Sequence, residues 1–169
     1  PLHCSAVFER GFLTNTLLNR VTISPQSRIL LAASNPAFIP ELERAGLEYC
    51  FELSPDYQNT KHNHVSESED ILDKHYWEQH NLAQREFEFV IVDARLSPRM
   101  ARAAVFGSML LNKVPAIAVL QQLVSLDPNS SQQHLIEKAR PHSIILINPP
   151  PRWGAQHRVR TPLGWCLYH

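Results

Sequence analysis

The sequence predicts an α/β domain built on a parallel sheet covered on both faces. Three observations carry that expectation. Strand-like and helix-like patterns alternate along the chain, several strand-like runs (29–33, 89–92 and 116–120) are continuously apolar, and turn-forming residues punctuate them. A run that is apolar at every position has no face to give to water, so it belongs inside a sheet.

The elements follow in chain order. Residues 1–27 form an N-terminal extension without clean periodicity, in which Phe8, Phe12, Leu13, Leu17 and Leu18 supply a short amphipathic turn or helix. Arg28 to Ser34 reads as the first buried strand, broken by Asn35-Pro36. Ala37 to Ala45 suits a helix that Gly46 stops. Leu47 to Leu53 is the second strand, ended by Ser54-Pro55-Asp56. Residues 57–86 turn polar and hold four of the nine histidines, which reads as an insertion: a loop, then a helix through Ile71, Leu72, Trp77 and Leu82.

Phe87 to Asp93 is the third strand, and Ser97-Pro98 opens a helix as N-cap and first helical residue. Val114 to Leu120 is the fourth strand, with Pro115 tolerable near its start. A turn at Asp127-Pro128-Asn129-Ser130 leads to a short helix over Gln132 to Ala139. Ser143 to Ile147 is the fifth strand, closed by Asn148-Pro149-Pro150-Pro151. The tail, 152–169, is punctuated by Pro, Arg and Gly and reads as irregular. Five strands in this alternation predict a three-layer, flavodoxin-like sandwich over residues 28–151, with a five-stranded parallel sheet.

Bulk composition narrows the function classes. A chain of 169 residues with 44% hydrophobic and 19% charged residues buries a core of its own. Sixteen basic and sixteen acidic residues cancel, which argues against a nucleic-acid surface as the main business of the domain. Cys4, Cys50 and Cys166 are odd in number and far apart, fitting neither a disulfide framework nor a metal knuckle, so a reducing, cytoplasmic location is expected. No apolar run approaches the roughly 18 residues of a membrane span. Pro1-Leu2-His3-Cys4 carries neither an initiator Met nor a signal-peptide pattern, and the expectation is a fragment of a longer protein.

Asp93 carries the strongest chemical signal, because ligands gather at the carboxyl ends of strands in parallel sheets. Two readings stand side by side. Its carboxylate caps the backbone that follows, or it is, or descends from, a phosphoacceptor or metal-binding carboxylate. A Mg²⁺ site needs more oxygens than one carboxylate supplies, and Ser34-Asn35 stand after the first strand where acidic residues would help.

Other motifs weigh less. Asn148-Pro149-Pro150-Pro151 is similar to the Asn-Pro-Pro-aromatic motif of amino-methyltransferases, but a proline replaces the aromatic. The five glycines provide no GxG turn for a cofactor, nor a phosphate-binding loop. His62, His64, His75 and His80 lie in a polar setting, and the last two are off the i, i+4 spacing of a helical metal pair. Neither a metal nor a cofactor is expected in this segment. Arg152, His157, Arg158 and Arg160 read as a solvated basic tail.

The strand order, Asp93 after the third strand and Pro149 after the fifth together resemble a response-regulator receiver domain. That resemblance implies a phosphoacceptor at Asp93, a Ser or Thr after the fourth strand and a Lys-Pro pair after the fifth. Here Gln121 or its neighbour stands in the Ser/Thr position, Asn148 in the Lys position, and Ser34-Asn35 in place of the acidic pair. The resemblance therefore implies a pseudo-receiver, with Asp93 a vestigial phosphoacceptor and no catalytic residue.

Glu43-Arg44-Ala45-Gly46-Leu47-Glu48-Tyr49-Cys50 and Val90-Ile91-Val92-Asp93-Ala94-Arg95 are further similar to the receiver-like module that begins the type-8, high-affinity cAMP-specific phosphodiesterases. This resemblance spans roughly residues 25–150 and implies a regulatory signal-transduction module. Its partner would be a neighbouring domain of the parent chain or another protein. The parent would be a 3′,5′-cyclic-AMP phosphodiesterase whose catalytic domain lies elsewhere. The alternative from another class is a small α/β enzyme, such as a degenerate methyltransferase or a nucleotide-binding transferase using Asp93 and the Asn148-Pro149-Pro150 turn.

Overall fold

In a computed structural model of the chain, the structure describes residues 10–32, 36–53, 86–93, 116–123, 141–148, 152–153, 157–158 and 162–168. Its centre is a mixed six-stranded sheet in the order β2-β1-β3-β4-β8-β5. The strands are β1 (Arg28–Ala32), β2 (Glu48–Leu53), β3 (Phe89–Asp93), β4 (Ala116–Gln122), β5 (Ser143–Leu146) and β8 (Leu163–Tyr168). A separate two-stranded ribbon pairs β6 (Arg152–Trp153) with β7 (His157–Arg158).

The α/β class and the five expected strands are present, each within two or three residues of its expected ends. The pairings β1–β2, β1–β3 and β3–β4 are parallel. The five-stranded, wholly parallel sheet is corrected: β8 lies between β4 and β5 and is antiparallel to both. Its source is the tail expected to be irregular. Leu163-Gly164-Trp165-Cys166-Leu167-Tyr168 is apolar throughout and fills a central position, where such a run avoids water on both faces.

Alternation of side chains along each strand divides the core. Ile29, Leu31, Phe89, Ile91, Ala118, Leu120 and Trp165 form one cluster with Phe12, Leu13, Leu17, Phe38 and Leu42. On the other face Leu30, Val90, Val92, Ile117, Val119 and Cys166 are also buried. The continuous apolar runs thus do what their composition demands.

Two segments cover the first face. The expected helix after β1 forms as a 3-10 turn, Pro36–Phe38, running into α1 (Ile39–Arg44) with Pro in its first turn. It stops where Gly46 predicts. Gly46 takes φ +69°, its N–H donates to the Glu43 carbonyl, and the Leu47 N–H donates to the Leu42 carbonyl. That pair of bonds is the Schellman arrangement, which needs a left-handed residue at this point.

The apolar residues of the N-terminal extension form the second cover. They enter a helical turn that continues as a five-residue π-helix, Thr14–Leu18. The Glu41 carboxylate on α1 accepts the N–H of Leu13 at 3.0 Å and of Thr14 at 2.9 Å, satisfying donors that a helix start leaves open. The Thr16 hydroxyl donates to the Phe12 carbonyl at 2.7 Å and accepts the Trp165 indole N–H at 2.9 Å, tying the extension to β8. The helices expected from Ser97 and over Gln132–Ala139, and the 57–86 insertion, lie outside the described residues.

Candidate functional site

The carboxyl ends of β3 and β4 form the place where chemistry is expected. Asp93 ends β3, pairs in register with Leu120, and is 0% exposed. It shares a sheet face with Phe89 and Ile91, the face of the aromatic and aliphatic cluster. A side chain so enclosed is reached neither by solvent nor by a solvated ion in this conformation.

Gln121 follows Leu120 by one residue, so its side chain projects from the opposite face. There it is 7% exposed, and its amide donates to Cys166 Sγ at 3.0 Å. Asp93 and Gln121 are neighbours along the sheet edge but do not converge on one point. Asn148, just past β5, is exposed. Ser34, Asn35 and Pro149 lie outside the described residues, as do His62, His64, His75 and His80. Of the receiver-position residues, Asp93, Gln121 and Asn148 are therefore placed, and no two of them share a site.

Sequence reading missed a second polar group, which β8 brings to Gln121. Burial pushes the Cys166 thiol above its ordinary range, and the Gln121 amide opposes that shift. Tyr168 is raised as well: burial is the largest cause, a charge on Cys166 adds to it, and a hydrogen bond with Gln121 acts against it. Burial that favours the protonated thiol makes it less reactive, since the thiolate is the reactive form. The signal that would have found this group is the apolar run 163–168, which marks a strand before its partners are known.

Two cavities formed by described residues lie away from Asp93. One, of about 690 Å³, sits where β3 and β4 begin and is lined by Val21, Ile23, Glu88, Phe89, Ile117 and Leu167 among others. At its rim the Ser27 hydroxyl donates to Glu88 Oε2 at 2.7 Å. The other, of about 610 Å³, runs between Arg10-Gly11 and α1 and carries two arginines, Arg10 and Arg44, against two glutamates, Glu41 and Glu43.

Among the described residues no group of three or more His, Cys, Asp or Glu is arranged to hold a metal ion. Among the same residues no helix is long and apolar enough to cross a membrane. No family model matches the chain, and no curated protein or solved structure matches it either.

Proposed function

We propose that the chain is a non-catalytic, receiver-like regulatory module of a cytoplasmic signalling protein, the N-terminal part of a cAMP-specific phosphodiesterase. It acts by contact with a neighbouring domain or a protein partner, shifting a conformational equilibrium in the parent. The observation that carries this reading is the enclosure of Asp93 at the end of β3, with 0% exposure. Phosphotransfer to a carboxylate needs a divalent cation and donors that neutralise the developing charge, assembled where the phosphodonor can reach. Asp93, on the sheet face that it shares with Phe89, Ile91 and Leu120, is closed to a phosphodonor, while the Gln121 amide is engaged with Cys166 on the other face. The parallel β2-β1-β3-β4 order supports the receiver-like part of the reading.

The test is incubation with acetyl phosphate and Mg²⁺, with phosphorylation read by intact mass. The parent chain and Asp93→Asn should both stay unlabelled, and both should fold. Stable labelling of the parent that disappears in Asp93→Asn sinks the pseudo-receiver reading. A thermal-shift panel of adenosylmethionine and nucleotides addresses the enzymatic alternative. A ligand at a hundred times its dissociation constant stabilises by about 2.7 kcal/mol, and the module should show no such shift. The parent assignment is tested by the full-length transcript, which should encode a phosphodiesterase catalytic domain downstream.

A further inference from the structure

The cavity of about 690 Å³ lies where β3 and β4 begin and β8 ends, at the end of the sheet opposite Asp93. Its walls are mainly apolar. Val21 and Ile23 come from the segment that leads into β1, Phe89 and Ile117 from the first residues of β3 and β4, and Leu167 from the end of β8. The volume falls within the roughly 300–1,000 Å³ of small-molecule sites, which combine apolar walls with a few placed polar groups.

Among the described residues that line this cavity, Glu88 alone is charged. The Ser27 hydroxyl donates to Glu88 Oε2 at 2.7 Å, and Ser27 is itself 4% exposed, so the carboxylate is held from a buried part of the wall. The turn that carries Ser27 is closed by its N–H, which donates to the Ser24 carbonyl at 2.9 Å. Among the described residues Glu88 has no ion-pair partner. Arg28, one residue before the Ile29–Phe89 pair on the neighbouring strand, approaches Glu48 of β2 at 3.9 Å instead. Glu88 thus accepts a neutral hydroxyl at Oε2 and keeps Oε1 for a further donor. A donor that brings a positive charge is favoured there, because charge-assisted hydrogen bonds are about twice as strong as neutral ones.

We propose that this cavity binds a small amphiphilic monocation: a protonated amine whose ammonium bonds Glu88 and whose aliphatic or aromatic body lies against Val21, Ile23, Phe89, Ile117 and Leu167. Burial of the body against those side chains supplies the affinity, and the carboxylate selects the sign of the head group. An anion of the same shape meets the Glu88 charge and no cation among the described wall residues. A neutral analogue buries the same body but forgoes the charge-assisted bond. The site is remote from Asp93, and the inference stands independently of the regulatory reading.

Titration of the 169-residue chain with octylammonium, octanol and octanoate, three probes of one length and different charge, is the test, read by backbone amide chemical shifts. Octylammonium should saturate, with the shifted amides at 21–27, 88–89, 116–117 and 167–168. It should bind about tenfold tighter than octanol, and octanoate should bind most weakly. Glu88→Gln, at an exposed site, retains an oxygen for the Ser27 hydroxyl and should keep the parent's unfolding midpoint. It should bring octylammonium down to the level of octanol and leave octanol unchanged. Ala116→Phe, which places a ring in the cavity, should weaken octylammonium and octanol alike. Four results overturn the proposal: octylammonium that never saturates, octanoate that binds as tightly, shifts that gather away from this cavity, or a preference for the ammonium that survives Glu88→Gln.

Discussion

Removing the Glu41 carboxylate should release the N-terminal cover from the sheet. Glu41 is 5% exposed and holds two backbone N–H groups, of Leu13 at 3.0 Å and Thr14 at 2.9 Å, from 28 and 27 residues away. In Glu41→Ala the Leu13 N–H sits beside a residue with 0% exposure and has no water to turn to. Leaving that donor unmet costs about 1–3 kcal/mol. Thr14 is only half-buried, so its N–H regains a water partner and adds about 0.5–1.5 kcal/mol. Loss of a negative charge from a helix start adds a few tenths more. The sum, about 2–5 kcal/mol, is a sizeable share of the roughly 5–15 kcal/mol a domain of this kind possesses.

Glu41→Gln keeps one acceptor and turns an amide N–H₂ towards the other donor, so it should lose about half as much. Urea denaturation measures both variants. Hydrogen exchange at Asn15 and Val21, whose N–H groups bond to the Gly11 and Leu17 carbonyls, distinguishes local release from global unfolding. A Glu41→Ala midpoint within about 0.5 kcal/mol of the parent, the level of an ordinary surface change, refutes the reasoning.

Two further outcomes follow from β8. A Cβ on Gly164 would lie 2.9 Å from Leu123 Cδ2, 3.2 Å from Ile144 Cγ2 and 3.2 Å from the Ile145 carbonyl oxygen. Gly164→Ala should therefore destabilise by about 1–3 kcal/mol, read by the same denaturation. Cys166 and Tyr168 both hold their protons more tightly folded than unfolded, chiefly through burial. Above the unfolded thiol value of 9.0 the unfolded chain releases protons that the native chain keeps. Stability should be flat in this respect below that pH and decline above it, with a slope of up to about 1.4 kcal/mol per pH unit for each group. Cys166→Ala should reduce the slope in pH-jump unfolding.

What was legible in the sequence is the part that depends on local pattern. Continuous apolar runs at 29–31, 89–92 and 117–120 predicted strands buried on both faces, and burial at those positions is complete or nearly so. Gly46 predicted a helix stop because one conformation is needed there and glycine adopts it without strain. The β8 run was equally apolar, but the Pro- and Arg-rich stretch before it made the whole tail read as irregular. Even read as a strand, its position was beyond reach. Periodicity identifies a strand and which residues share a face, but it does not choose the partners. Glu41 was hidden for the same reason: a glutamate in the first turn of a short helix looks solvated until a backbone 28 residues upstream in the sequence arrives beside it.

The insertion of β8 also bears on whether the receiver chemistry that the proposed reading takes as its reference could be introduced into this sheet. Neighbouring strands are about 4.8 Å apart, so two spacings separate the third and fifth strands of a 2-1-3-4-5 sheet by about 10 Å. Here β4 and β8 both stand between β3 and β5, making three spacings, or about 14 Å. A Lys at 148 extends only about 6 Å from its Cα, judged from the five bonds that carry its ammonium out along a four-carbon stem. Gln121, on the face opposite Asp93, offers no better route. Asn148→Lys combined with Gln121→Thr should therefore remain unlabelled by acetyl phosphate and Mg²⁺, although it supplies two of the residue types the receiver pattern lacks. Labelling of that double variant at Asp93, read by peptide mass, would mean that β5 can lie directly beside β4, and the strand order rather than the residue inventory would then have to be revised.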